Sequence, residues 1–175
     1  MTNHLRLTGD QFEELGKHLL QNRKEQVAFA FAAVTQGNGR RIFDAGDLYL
    51  ASAADFAVQT EDHVELTQEA LARLIKMAWD QRAALVDFHS HPRQRHPVYF
   101  SPSDLTGFAD LVPHAIWRLK GQPYLGVVMA MKSFDALVWP AAYETPEELE
   151  GVLIDRGETI QPTGISYSRF KARGD

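Results

Sequence analysis

Between Val86 and Leu105 the chain reads VDFHSHPRQRHPVYFSPSDL, with His89 and His91 one residue apart at the end of an apolar run and Asp104 thirteen positions beyond His91. On a strand alternate side chains share a face, so Asp87, His89 and His91 point one way while Val86, Phe88 and Ser90 point the other. Two neutral imidazoles and one carboxylate are a common ligand set for catalytic zinc, which keeps its fourth position for water. Asp104 is the natural carboxylate, and Pro92, Pro97 and Pro102 stiffen the loop that must bring it back to the histidines. Bound zinc lowers the pKa of its water to about 7 and polarises a carbonyl, so such a site also needs a general base. The quoted stretch contains no glutamate. The best-placed one is Glu25, a charge at the mouth of the otherwise apolar EQVAFAFAAV. Ser-Pro-Ser-Asp is also an ordinary helix start, with Ser101 as N-cap, Pro102 at N1 and Asp104 at N3. His4, His18, His63 and His114 have no comparable partners and read as surface or core residues; His96 is placed to line the site.

These residues need elements to hold them. Thr8 and Gln11 form a capping-box pair ahead of Phe12, Leu15 and Leu19, which predicts a helix from about Thr8 to Asn22. EQVAFAFAAV is apolar on both faces and suits a strand covered on each side, with TQGNGR turning into RIFDAGDLYL. FAVQTEDHVEL is partly extended, and TQEALARLIKMAWDQR carries Leu71, Leu74, Ile75, Ala78 and Trp79 as one helical stripe, with Trp79 expected in the core. AALVDFHSH is a strand, YLGVVMAM and FDALVWP an antiparallel pair. Thr145, Pro146 and Glu148 look like the start of a further helix over TPEELEGVL. The order predicts an α/β sandwich, a mixed and mostly antiparallel sheet flanked by helices, in one domain over residues 1–165 with a polar tail, disordered in expectation, over 166–175.

The chain has 175 residues, 45% hydrophobic, enough for one ordinary core. It has no cysteine, which leaves N and O as the metal ligands and fits a reducing compartment. A net charge of −5 and a pI near 5.8 argue against a nucleic-acid partner. The first twenty residues carry acids within their apolar pattern, so neither a signal peptide nor a membrane span is expected, and the expected location is the cytoplasm.

HSHP followed by SPSD, with a glutamate on an earlier strand, resembles the JAB/MPN metalloprotease (JAMM) motif: glutamate, then His-x-His, then Ser-x-x-Asp. The resemblance runs from Glu25 to about Trp139. It implies that His89, His91 and Asp104 bind zinc, that Glu25 is the general base and that Ser101 helps hold an oxyanion. For the fold it implies an MPN-like (cytidine-deaminase-like) sandwich. For activity it implies hydrolysis of peptide or isopeptide bonds after the C-terminal tail of ubiquitin or a ubiquitin-like protein, in deconjugation or precursor processing. The partners implied are that protein or its conjugates and, as for compact prokaryotic members, its activating and conjugating enzymes. The loop from His91 to Ser101 is longer than the family's usual one, and Ala28 stands where a glycine is usual. VDFHSH also resembles the Asp-x-His-x-His strand of amidohydrolase-like and phosphoesterase barrels, which would make Asp87 functional, but such barrels need about 250 residues. A non-catalytic MPN-like scaffold is the other alternative; such scaffolds commonly lack the ligands that are present here.

Overall fold

The structure, a computed structural model, describes residues 1–95 and 97–174, so His96 lies outside the described residues. The chain opens with a strand, β1 (Thr2–Leu7), then α1 (Gly9–Leu19), whose Thr8 and Gln11 form the expected reciprocal capping box. β2 (Val27–Gly37) and β3 (Arg40–Leu50) make a hairpin whose two turn residues, Asn38 and Gly39, both have positive φ (50° and 74°), the conformation that matches strand twist. A small separate hairpin, β4 (Phe56–Gln59) and β5 (Val64–Leu66), precedes α2 (Gln68–Gln81). Then come β6 (Ala84–Ser90), α3 (Pro102–Arg118), β7 (Tyr124–Met129), β8 (Phe134–Trp139), β9 (Glu147–Ile154), β10 (Glu158–Ile160) and α4 (Ile165–Gly174).

The sheet does not lie open between helical layers. Its order is β1-β3-β2-β6-β7-β8-β9, and β9 pairs in turn with β1, so seven strands close into a barrel. β1–β3, β6–β7 and β9–β1 are parallel and the other four pairs antiparallel, which makes the barrel mixed. The expected MPN-like sandwich is therefore incorrect, and the reason lies in two segments. β1 lies ahead of the first element the sequence predicts, and β9 falls where capping residues predict a helix. Along β9, Leu149, Val152 and Ile154 turn inward, and the strand finds β1 on one edge with β8 and β10 on the other. Pairing on both edges outweighs a local capping signal.

All seven barrel strands contribute to one apolar cluster, the barrel interior, which also takes Leu15 and Leu19 of α1. Alanines at 28, 30 and 32 on β2 leave room there. The alternate residues of β2, Val27, Phe29 and Phe31, face outward into a second cluster formed with α2 and α3. β2 is thus covered on both faces, as its apolar pattern requires. Trp79 does not join the core: α2 buries Ala70, Leu74, Ile75 and Ala78, and Trp79 remains 46% exposed.

The segment read as a disordered tail is helix α4, and it is packed. Buried Asp135 on β8 accepts the backbone N–H groups of Gly164 and Ser166, capping the helix N-terminus. Ser166 Oγ accepts the N–H of Phe100, Thr163 Oγ1 donates to Val98 O, and the Arg169 guanidinium lies 3.9 Å from the Tyr99 ring centre. α4 thereby braces the loop that leads into α3. No helix among the described residues is long and apolar enough to cross a membrane.

Candidate metal centre

β6 ends in the interior of the sheet, between β2 and β7, and delivers His89 and His91 to one end of the barrel wall. The antiparallel register sets Val27 opposite His89, and Ser90 N–H donates to Gln26 O. Carrying the register two residues further puts Glu25 opposite His91, on the same face. Glu25 Oε1 lies 3.7 Å from His91 Nε2. The small hairpin fixes its backbone: Glu25 N–H donates to Thr60 O, and Gln59 Nε2 donates to Glu25 O.

Asp104 arrives from the first turn of α3. Its N–H donates to Ser101 Oγ at 3.2 Å, and its Oδ2 accepts Ser101 N–H at 2.6 Å. This reciprocal cap holds the carboxylate against the histidines. Asp104 Oδ1 is 3.4 Å from His89 Nε2, and Oδ2 is 3.2 Å from His91 Nε2. Ligand atoms of His89, His91 and Asp104 lie within 4.8 Å of one another, a group that could hold a metal ion. His89 Nε2 is buried with no hydrogen-bond partner among the described residues, which a lone pair awaiting a cation would explain. The His89 ring is wedged against Phe100 and Phe108. Phe108 in turn sits over Gly126 of β7, where a Cβ would come within 2.8 Å of its Cζ. His91 Nδ1 meets Gln94 Oε1 at 3.0 Å, so Nδ1 carries the proton and Nε2 is left as the ligand atom.

The charges are tightly linked. Burial by itself would push His89 down, but the adjoining Asp104 carboxylate, with Asp87 and Glu25 behind it, raises its pKa. Burial opposes ionisation of Asp104, yet His89 and His91 hold its carboxyl far below the usual carboxylate range. Burial raises Glu25, and the Asp104 charge adds to this against the pull of His91 and His89. Burial also lifts Asp87 to about 6, although His89 and the Tyr124 hydroxyl, which donates to Asp87 Oδ2 at 2.9 Å, work the other way.

A cleft of about 870 Å³ runs from this cluster between β5, α2 and α3, lined by Asp87, His89, Asp104, Val64 and Leu66 among others. Ser101 is not among the lining residues; Pro102, Ser103 and Asp104 are. Of the histidines read as lone, His18 Nε2 meets Val27 O, a structural contact, and His4 is buried on β1, whereas His63 and His114 line the cleft. Those two, with Gln94 and Tyr124, carry no spacing signal, because each reaches the site through tertiary packing alone.

No family model matches the chain, and no curated protein matches it. Among solved structures it is similar to protein DSY2949 from Desulfitobacterium hafniense, with TM-score 0.53 and 18% identity over 86% of this chain and 92% of that one. It is also similar to a protein from Salinibacter ruber, with TM-score 0.42 and 17% identity over 92% of this chain and 88% of that one. The first likeness shows a shared fold alone, and the second is too loose to bear on it.

Proposed function

We propose that the protein is a zinc-dependent peptidase or isopeptidase that cleaves after the C-terminal tail of a ubiquitin-like protein. The reading rests on the site and on the motif it resembles, and not on the fold. The observation that carries it is the pairing of Glu25 with the His89, His91, Asp104 cluster: a carboxylate from the segment leading into β2, buried 3.7 Å from one imidazole, where a base for water activation belongs. Zinc fits the donor set. Ligand atoms around a tetrahedral zinc stand roughly 3.3 Å apart, close to the 3.2 and 3.4 Å separations of Asp104 from the two imidazoles.

A zinc ion there would acidify a water and polarise the scissile carbonyl. Glu25 would take the proton from that water and pass it to the leaving amine, a role its raised pKa suits. Asp104, His89 and His91 would hold the ion, with Gln94 keeping His91 in the ligating tautomer. The hydroxyl of Ser101 accepts a hydrogen bond from Asp104 N–H, and its own proton stays available to an oxyanion.

An extended peptide is the fitting substrate because barrel closure removes most free strand edges. Of the edges that remain, β5 is the one whose residues, Val64, Glu65 and Leu66, line the cleft. Main-chain pairing there would lead a flexible tail toward the metal. Asp87 favours the amidohydrolase or phosphoesterase alternative, since it lines the same cleft, but its carboxylate is turned to Tyr124 and is not part of the ligand cluster.

The test is zinc content together with cleavage of a fluorogenic reporter joined to the tail of a ubiquitin-like protein from the same source. About one zinc per chain and release of the reporter are expected, both lost in the double variant His89→Ala, His91→Ala. Full zinc occupancy in that variant would overturn the ligand assignment. An intact reporter alongside hydrolysis of a phosphoester or a small cyclic amide would favour the alternative.

A further inference from the structure

The groove between α2 and α3 continues past the cleft. His114 lines both the metal cleft and a second hollow of about 360 Å³, whose walls include Lys76, Trp79 and Arg118 near the C-terminal ends of the two helices. Trp79 and Trp117 are 46% and 70% exposed, an uncommon amount of indole to leave in water. Each has a cation beside it: Lys120 Nζ lies 4.6 Å from the Trp79 ring centre, and the Arg118 guanidinium lies 5.1 Å from that of Trp117. Lys76 is paired with Asp80, but neither Arg118 nor Lys120 has a carboxylate within 4.0 Å among the described residues. On a chain of net charge −5 this is a local reversal of sign.

We propose that this hollow docks an acidic polypeptide segment of the protein whose tail enters the metal cleft. Carboxylates satisfy Arg118 and Lys120, and an apolar side chain between them covers indole surface; aromatic and Arg side chains are the ones that dominate binding energy at interfaces. Single-stranded nucleic acid also stacks on aromatic rings beside cations. Here the groove leads on to Glu65 and Asp110, exposed carboxylates that repel a phosphate backbone and are compatible with an uncharged peptide main chain.

The choice of occupant rests on the peptidase reading, so the test measures binding separately from cleavage. A fluorescein-labelled short peptide rich in Glu and Asp with one Phe and one Leu is titrated with the full-length protein and followed by anisotropy. Comparison probes are the same peptide with Gln and Asn in place of the acids, and an oligodeoxythymidylate of matched charge. The acidic peptide is expected to bind best, more weakly as salt is raised, and at least about tenfold more weakly to the double variant Arg118→Glu, Lys120→Glu. Trp79→Ala should weaken it as well. Glu25→Gln should bind it like the parent, whether or not the protein proves to be a peptidase. Equal binding of the acidic and amide peptides, or no loss in the double variant, would overturn the proposal. Tighter binding of the oligonucleotide would replace it with a nucleic-acid site.

Discussion

Glu25 stands across the β2–β6 pair from His91 without being needed to hold a cation, so its charge and its shape can be separated. Glu25→Gln is expected to keep about one zinc per chain and the parent melting temperature while turnover falls about 10²-fold or more. Zinc content, thermal unfolding and reporter cleavage on one preparation check it, and near-normal turnover would move the base elsewhere. Ser101 poses a similar question, because its Oγ takes the N–H of Asp104 as a cap. Ser101→Ala should cost about 1 kcal/mol of stability, and Ser101→Asp should largely restore it. If Ser101 also donates to an oxyanion, Ser101→Asp remains about 10²-fold impaired in hydrolysis despite its recovered stability. Turnover that returned in step with stability would leave Ser101 a cap only. His89, His91 and Asp104 were legible in the sequence because strand alternation and a helix start are local patterns. The contact of Glu25 with His91 was not local, since it depends on β2 being the strand that pairs with β6.

At the scale of elements, α4 governs more than its position in the chain suggests. With Thr163 just ahead of it, it holds Val98, Tyr99 and Phe100, through Thr163, Arg169 and Ser166 respectively, and Phe100 packs on the His89 ring. A chain ending at Pro162 should lose that brace, and its affinity for zinc should fall by about tenfold or more, the scale seen when the groups supporting metal ligands are removed. Zinc competition against a chromophoric chelator measures this, and unchanged affinity would show the loop to be set by its prolines alone. The periodic helices α1 and α2 and the hairpin strands β2 and β3 were legible because each carries its own period and its own caps or turn. α4 was misread because its composition is polar. Its order comes from Asp135 and the loop it grips, partners that lie far away in sequence.

For the whole molecule, the decisive feature is the seam between β1 and β9, which converts the expected sandwich into a barrel. Buried Arg41 spans it, its Nη1 donating to Asn3 Oδ1 and to Glu147 Oε2, both at 2.8 Å, and Asn3 Nδ2 donates to Glu147 Oε2 at 3.0 Å. Arg41→Ala should cost about 1–3 kcal/mol, because fully buried Asn3 and partly buried Glu147 lose their donor. Denaturant unfolding measures this; an unchanged midpoint would mean that the strand ladders alone close the seam. Zinc content should not change, as the candidate cluster is built from the end of β6 and the first turn of α3. The seam also imposes an order of events on the ribosome. β1 is made before the other barrel strands, yet one of its two partners, residues 149–154, is made after all of them. Until then the nascent sheet is an open ribbon, with hydrogen-bonding edges bare along β1 and β8. β6, with His89 in it and His91 just beyond its end, is already made, and so is α3 with its aspartate. A ribosome stalled before β9 would therefore hold a chain bearing all three candidate ligands and an edge able to recruit a neighbouring chain, which makes β9 the guard against aggregation.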